Sequence, residues 1–311
     1  MRVTANTFPD SLVEQLRLLQ QRQYRLQHQA ATGQRISLPE DDPTAMRRVL
    51  DLQAEGRSWA QYQRNATVLK EQAQAIYQVI RELKTVCDRA REIAVLADGT
   101  RSPDELRAYA AEVTGLIQQA VQSANRTFGG DYLLSGTRTD RPPFVLTTDA
   151  NGRVTAVTYQ GNQAVPECEI APGVTVAARP VGANPDSTGP AGLLADARAG
   201  ADLLNHLIAL QNHLLAGDLT AIADTDRALL ARDEQNLLVH ATSNGLLQAR
   251  LQTAIDAARQ QTASLEGLVS NQADADLAET LVRLAQTQTA YQAALQSGAQ
   301  LLQSSLLDYL H

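Results

Sequence analysis

The feature that most constrains this chain is an unbroken run of apolar residues spaced alternately three and four apart. It comprises Trp59, Tyr62, Ala66, Leu69, Ala73, Ile76, Ile80, Leu83, Cys87, Ala90, Ala94 and Ala97. Steps of that kind place every member on one stripe of an α-helix, the seam of a coiled coil. A second row, Val79, Val86 and Ile93, runs beside it and asks for more than one partner helix. A helix from Pro43 to Asp98 would be ~84 Å long at ~1.5 Å per residue, longer than a compact domain needs. The segment reads as the spine of a rod, with Trp59, Leu69, Ile76, Ile80 and Leu83 as its core.

Composition agrees with a rod. Hydrophobic residues make up 44% of the 311 positions but aromatics only 4%, so thin Ala and Leu seams replace a thick aromatic core. Net charge is −7 with no Lys/Arg block, which gives nucleic acid nothing to bind. Cys87 falls on the seam and reads as a small buried apolar residue, and Cys168 has no C-x-x-C companion, so no disulfide framework or redox motif is implied. The longest apolar run, Ile93–Ala97, is far too short to span a membrane. The start lacks the basic-then-apolar layout of a cleaved secretory signal. On these grounds the chain would be soluble and cytoplasmic unless another export route takes it.

Both ends of the chain are also periodic. Leu12, Leu16, Leu19, Gln23, Leu26 and Ala30 form a narrow seam that stops at Gly33, a helix C-cap signal. Leu277, Leu281, Leu284, Gln288, Tyr291, Leu295, Gly298 and Leu302 form another. Residues 1–35 carry Arg2, Arg17, Arg22, Arg25 and Arg35 against Asp10 and Glu14, giving +3. Residues 272–311 carry Asp274, Asp276, Glu279 and Asp308 against Arg283, giving −3. The two ends should pair with each other and with copies of themselves. Leu12, Leu16, Leu19, Leu26, Leu277, Leu281, Leu284, Tyr291, Leu295 and Leu302 are the expected assembly interface.

Between these ends, Asp42 should cap the spine with Pro43 in its first turn, the acids meeting the positive helix end. A calcium site does not fit, because three adjacent acids are not ligands at alternate positions. Ser102-Pro103 starts a helix that folds back on the spine. After Gly129-Gly130 the texture changes to β-branched residues alternating with polar ones. Val145–Thr148 and Val154–Tyr159 flank Asn151-Gly152 as a hairpin, and a second should surround Pro172-Gly173. Helix should resume near Gly192, through Leu193 and Leu194, and a second long helix should run from Leu219 to Leu268, polar and irregular around Asp233–Asn236. The expected fold is mainly α, an elongated antiparallel helical rod or coiled-coil bundle formed by both chain ends, with a small inserted β module. Its expected domains are 1–35 with 272–311 for assembly, 36–130 with 190–271 as rod, and 131–189 as β domain.

No phosphate loop, G-x-G-x-x-G, H-E-x-x-H or nucleophile elbow occurs. His206 and His213 stand two turns apart with no third ligand, so they read as ordinary helix histidines. The sequons at Asn65 and Asn125 fall within helices. No catalytic residue, cofactor or metal is expected, and the chain reads as structural.

Three separated motifs resemble the bacterial flagellin superfamily. They are Ala31-Thr32-Gly33-Gln34-Arg35-Ile36-Ser37-Leu38-Pro39-Glu40-Asp41-Asp42-Pro43, then Asp274-Ala275-Asp276-Leu277-Ala278-Glu279 with Leu284, Gln288, Ala290 and Tyr291, and Tyr132–Phe144. The last, with Met1-Arg2-Val3-Thr4, is similar to the hook–filament junction branch. Thr32-Gly33 stands where Ser-Gly is common, and Pro43 stands where filament subunits often have Ala. The resemblance implies a structural flagellar component, exported through the flagellar type III apparatus with an uncleaved signal and lying outside the cell. It implies self-assembly into a ring or short tube, coupled to folding of the terminal helices. It also implies contact with hook-associated protein 1 and flagellin, and an export chaperone on the C-terminal helix beforehand. A flagellin-like filament subunit and a cytosolic helical scaffold are the alternatives.

Overall fold

The computed structural model describes residues 7–186 and 188–309, with side chains described from 11 to 300 apart from 187. The elements are α1 (Thr7–Thr32), α2 (Pro43–Leu96), α3 (Pro103–Ala124), β1 (Thr127–Phe128), β2 (Asp131–Tyr132), β3 (Phe144–Thr148), β4 (Val154–Tyr159), β5 (Cys168–Ala171), β6 (Val174–Val176), β7 (Val181–Asn184), β8 (Gly192–Asp196) and β9 (Ala201–Asp202). They continue with α4 (Leu203–Ala216), the one-turn α5 (Leu219–Ala221), a π-turn (Ile222–Asp226), α6 (Arg227–Ala273) and α7 (Leu277–Tyr309). The chain is mainly α with a small β insertion, as expected. It divides into two compact units, Trp59–Gln260 and Met1–Ser58 with Gln261–His311.

In the first unit both apolar rows of α2 are buried from Ala66 to Ala97. From Ile76 to Ala97 they meet Leu106, Ala110, Val113 and Ile117 of α3, Leu203, Leu207, Leu210 and Leu214 of α4, and Leu230 and Leu237 of α6 in one core. Trp59 is half-buried and stands edge-on to Tyr62 at 5.7 Å. Polar ties fix the helix directions. The Cys87 thiol donates to the Leu230 carbonyl at 3.5 Å, while Lys84 and Arg91 both pair with Glu234, so α6 runs antiparallel to α2. Arg89 pairs with Glu112, and Arg126 with Glu82, setting α3 antiparallel as well. Burial pushes the Cys87 thiol up to about 12, helped by Asp233, Asp88 and Glu234, which keeps it an inert apolar filler.

α3 opens with a capping box: the Ser102 hydroxyl accepts from the Glu105 amide, and Glu105 reaches back to Ser102. At its other end Asn125 clamps the first strand of the β insertion, donating to the Phe144 carbonyl at 2.8 Å and accepting from its amide at 2.9 Å. β3 and β4 pair antiparallel with Phe144 opposite Tyr159, and β5 and β6 form the second hairpin. That second hairpin lays Ile170, Val176 and Ala178 on Ala66, Leu69 and Ala73 of α2 and on Leu251 and Ile255 of α6.

The segment from Gly192 differs from its expected reading as helix. Gly192–Asp196 is strand β8, parallel to β7 and antiparallel to β9, and helix begins only at Leu203. A short apolar run such as Leu193-Leu194 carries no periodicity, and both of these leucines are almost fully buried here. The strands therefore extend past residue 189. The long helix likewise begins at Arg227 rather than Leu219, because the π-turn intervenes.

The polar patch near Asp233 has its explanation in this sheet. Asn236 donates to the Gly192 and Leu193 carbonyls, and His240 lies 3.0 Å from the Gly192 carbonyl. Asp233 is wholly buried; one carboxylate oxygen accepts from the Asp202 amide at 2.8 Å and the other meets His206 Nδ1 at 2.7 Å. His213 pairs in the same way with buried Asp226 of the π-turn at 2.8 Å. Two histidines of α4 are thus each joined to a buried carboxylate of the following segment. Burial alone would lower the His206 pKa, but the bond and charge of Asp233, with Asp202 and Asp226 nearby, raise it above its ordinary 6.5. A raised imidazole pKa contributes stability that is complete below 6.5 and is lost as pH rises through the folded value. The melting temperature of the unit Trp59–Gln260 should therefore fall as pH rises above neutrality, and His206→Gln should flatten that slope. Calorimetry across the range checks it, and an unchanged slope in the variant would refute it.

Candidate assembly interface

The second unit comprises residues 1–58 and 261–311. In it α1 packs along α7. The side of α1 turned inward carries Leu12, Leu16, Leu19 and Gln23, all half-buried, and Leu26, which is buried. The buried side of α7 carries Thr280, Leu284, Thr287, Tyr291, Ala294 and Gly298, again at steps of four and three. Small residues bring the backbones close: a Cβ at Gly298 would stand only 2.6 Å from Leu12 Cδ2. Thr280, Thr287, Ala294 and Gly298 carry little apolar area, so at about 25 cal/mol per Å² these positions of the seam add little stability.

Other large apolar residues of α7 face away. Leu277 is 49% exposed, Leu281 55%, Val282 56% and Leu295 46%. Val13, Leu18 and Tyr24 of α1 are also exposed. Of the expected interface residues, Leu284 and Tyr291 are half-buried, while Leu277, Leu281 and Leu295 form an outward row; the side chain of Leu302 lies outside the described residues. Hydrophobic periodicity alone missed Thr280, Thr287 and Ala294, because small and hydroxylated residues carry little apolar signal.

The loop between α1 and α2 is held by one carboxylate. Asp41 accepts from the amides of Ser37 at 3.1 Å and Leu38 at 3.0 Å, and lies 3.6 Å from Arg25. Those two amides, the Leu38 one first, hold its pKa below the ordinary value. Asp42 caps α2 by accepting from the Ala45 amide at 3.0 Å, with Pro43 as the first helical residue. Gly33 ends α1 at φ +72°, a conformation that a side chain would strain. Asp41→Ala should cost about 1–2 kcal/mol by orphaning two amides. Limited proteolysis should then cut between residues 36 and 42 first, and unchanged resistance there would show that Asp41 is dispensable.

This loop meets the one between α6 and α7. The Arg35 amide donates to the Ala273 carbonyl at 2.6 Å, Ala275 donates to Gly33 at 2.8 Å, and Arg35 Nη2 donates to Gln272 at 2.7 Å. Two of the sequence motifs, at opposite ends of the chain, are therefore one paired structure. The first part of the chain is similar to the helical region of the bacterial flagellins. Residues 5–139 match the family described as bacterial flagellin N-terminal helical region. Flagellar hook-associated protein 3 of Salmonella typhimurium is 30% identical over 143 residues, 45% of this chain and 45% of that protein. Its Escherichia coli counterpart is 31% identical over 118 residues, 37% of each. The matched stretch thus spans less than half the length of these relatives.

Solved structures extend the likeness in fold. A flagellar hook-associated protein from Vibrio parahaemolyticus superposes with a TM-score of 0.64 at 22% identity, covering 75% of this chain and all of that one (100%). FlgL of Xanthomonas campestris superposes at 0.55 with 15% identity, covering 69% and 98%. The stretch similar to flagellins thus lies in a chain whose fold resembles that of these solved hook-associated proteins. Among the described residues no helix is long and apolar enough to cross a membrane, and no three His, Cys, Asp or Glu side chains cluster as metal ligands.

Proposed function

We propose that this chain is a structural subunit of the bacterial flagellum that joins hook to filament by self-assembly of its terminal helices. The observation that carries the reading is the outward row Leu277, Leu281 and Leu295 on a helix whose inner face carries Thr280, Thr287, Ala294 and Gly298 among its seam positions. The α1–α7 pair covers one face of each helix internally and leaves the row of exposed leucines on α7 for other subunits. The opposite charges of the two ends favour such pairing between neighbours as well as within one chain.

Short seams cannot offset the ordering entropy of the helices they join. Terminal folding and assembly then become one coupled event, which guards against polymerisation before the subunit reaches its place. In this reading no reaction is catalysed and no cofactor is bound. The partners are further copies in a ring or short tube, hook-associated protein 1 on one side, flagellin on the other, and a chaperone on α7 before export through the flagellar type III apparatus. The assembly domain comprises 1–35 with 272–311, the rod 36–130 with 190–271, and the outward module 131–189.

A strain lacking the chain tests the proposal. Hooks should persist, filaments should be lost and flagellin should be shed into the medium. Attached filaments in that strain would refute the junction role. Long filaments formed by the purified chain alone would instead assign it to the filament.

A further inference from the structure

The pair Asn-Gly occurs twice in the chain, at Asn151-Gly152 and Asn244-Gly245, and the fold treats the two differently. Asn244 lies inside α6 with 5% of its surface exposed, and its side-chain oxygen accepts from Gln248 at 2.6 Å. Asn151 lies exposed at the tip of the β3–β4 hairpin. Gly152 follows it at φ +78° with open space where a Cβ would stand, so no side chain shields the peptide nitrogen between them. We propose that Asn151 is a site of spontaneous covalent modification, converting to aspartate and isoaspartate through a cyclic imide with Gly152.

The chemistry needs only water. The Gly152 backbone nitrogen attacks Asn151 Cγ, the new N–Cγ bond forms, and the Cγ–Nδ2 bond breaks. Ammonia leaves, taking the proton given up by the peptide nitrogen. Water then opens the imide at either carbonyl: cleavage of N–Cγ leaves aspartate, and cleavage of the original peptide bond leaves isoaspartate, with the chain running through the side-chain carbon. The net exchange is ammonia for water, and the tip gains one negative charge.

Asp149 governs how fast this proceeds. Its carboxylate accepts from the Asn151 amide at 2.9 Å, the Arg153 amide at 2.9 Å and Arg153 Nε at 2.7 Å, while its carbonyl accepts from the attacking Gly152 nitrogen at 3.0 Å. The nitrogen is released when the hairpin tip opens, a small local event compared with opening the middle of α6. After conversion a second carboxylate stands beside Asp149, and in the isoaspartate product the backbone is one carbon longer. The strands below stay anchored, because Asn125 holds Phe144 and Gln211 donates to the Val154 carbonyl at 3.2 Å. The change is therefore confined to the tip, where it leaves a record of the molecule's age.

Incubation of the whole folded chain in warm, mildly alkaline buffer, followed by peptide mass mapping and isoaspartate methyltransferase labelling, tests this. Position 151 should convert at least about tenfold faster than 244, the ratio given by ~1.4 kcal/mol of additional opening cost. Asn151→Gln should abolish the new acidic species on ion exchange, and Asp149→Ala should accelerate conversion in the protein that retains Asn151. In denaturant both sites should convert alike. If Asn151 keeps its amide in the folded chain while converting in denaturant, or if position 244 converts first, the proposal is overturned.

Discussion

Leu83→Asp is expected to unfold the unit Trp59–Gln260. Leu83 is wholly buried (0% exposed), in the core that α2 shares with α3, α4 and α6. Truncating such a leucine to Ala typically costs about 2–5 kcal/mol. A carboxylate adds the penalty of an unpaired charge in an apolar site, several kcal/mol more unless it takes up a proton. Domains of this size are stable by only about 5–15 kcal/mol, so one such change consumes most of that margin. Circular dichroism should show loss of the cooperative transition, and a variant that melts like the parent would mean that α2 is not the centre of the unit.

Leu281→Glu with Leu295→Glu should have the opposite profile. Both leucines are about half exposed and touch little of their own chain, and Glu is nearly as good a helix former as Leu. Monomer stability should change by no more than about 0.5 kcal/mol per site. If the row packs on other subunits, each buried leucine is worth about 1.5–3 kcal/mol, so losing both should weaken each contact by roughly a hundred- to ten-thousandfold. Sedimentation of the purified variant should show monomer where the parent forms oligomers, and a cell carrying it should bear hooks without filaments. Oligomers of parental strength would place assembly on another surface.

The contrast between these two variants follows what the sequence does and does not encode. The α2 seam was legible because its partners are in the same chain and are apolar, so burial and periodicity coincide from Ala66 to Ala97. Both hairpins were legible from Asn151-Gly152 and Pro172-Gly173, where turn chemistry is local. β8 was not, because two leucines beside a glycine fit a buried strand and a helix start equally well. Nor was the role of Asp233, Asn236 and His240, whose partners Asp202, His206 and Gly192 lie elsewhere along the chain and meet them only in the fold. On α7 the leucine stripe was visible, but periodicity cannot say whether a stripe faces its own chain or another. In the structure Thr280, Thr287 and Ala294 turn inward with Leu284, Tyr291 and Gly298, and Leu277, Leu281 and Leu295 turn out.

Hydrogen exchange across residues 277–300, compared between the free chain and any assembled oligomer of it, bears most directly on terminal folding coupled to assembly. A seam that alternates Leu284 and Tyr291 with Thr, Ala and Gly should open more readily than the α2 core, so these amides should exchange rapidly in the free chain while those of α3 and of α2 from Ala66 to Leu96 remain protected. In the assembled state the same amides of α7 should become as slow as the core. Strong protection of residues 277–300 in the free chain, equal to that of α2, would contradict the coupling.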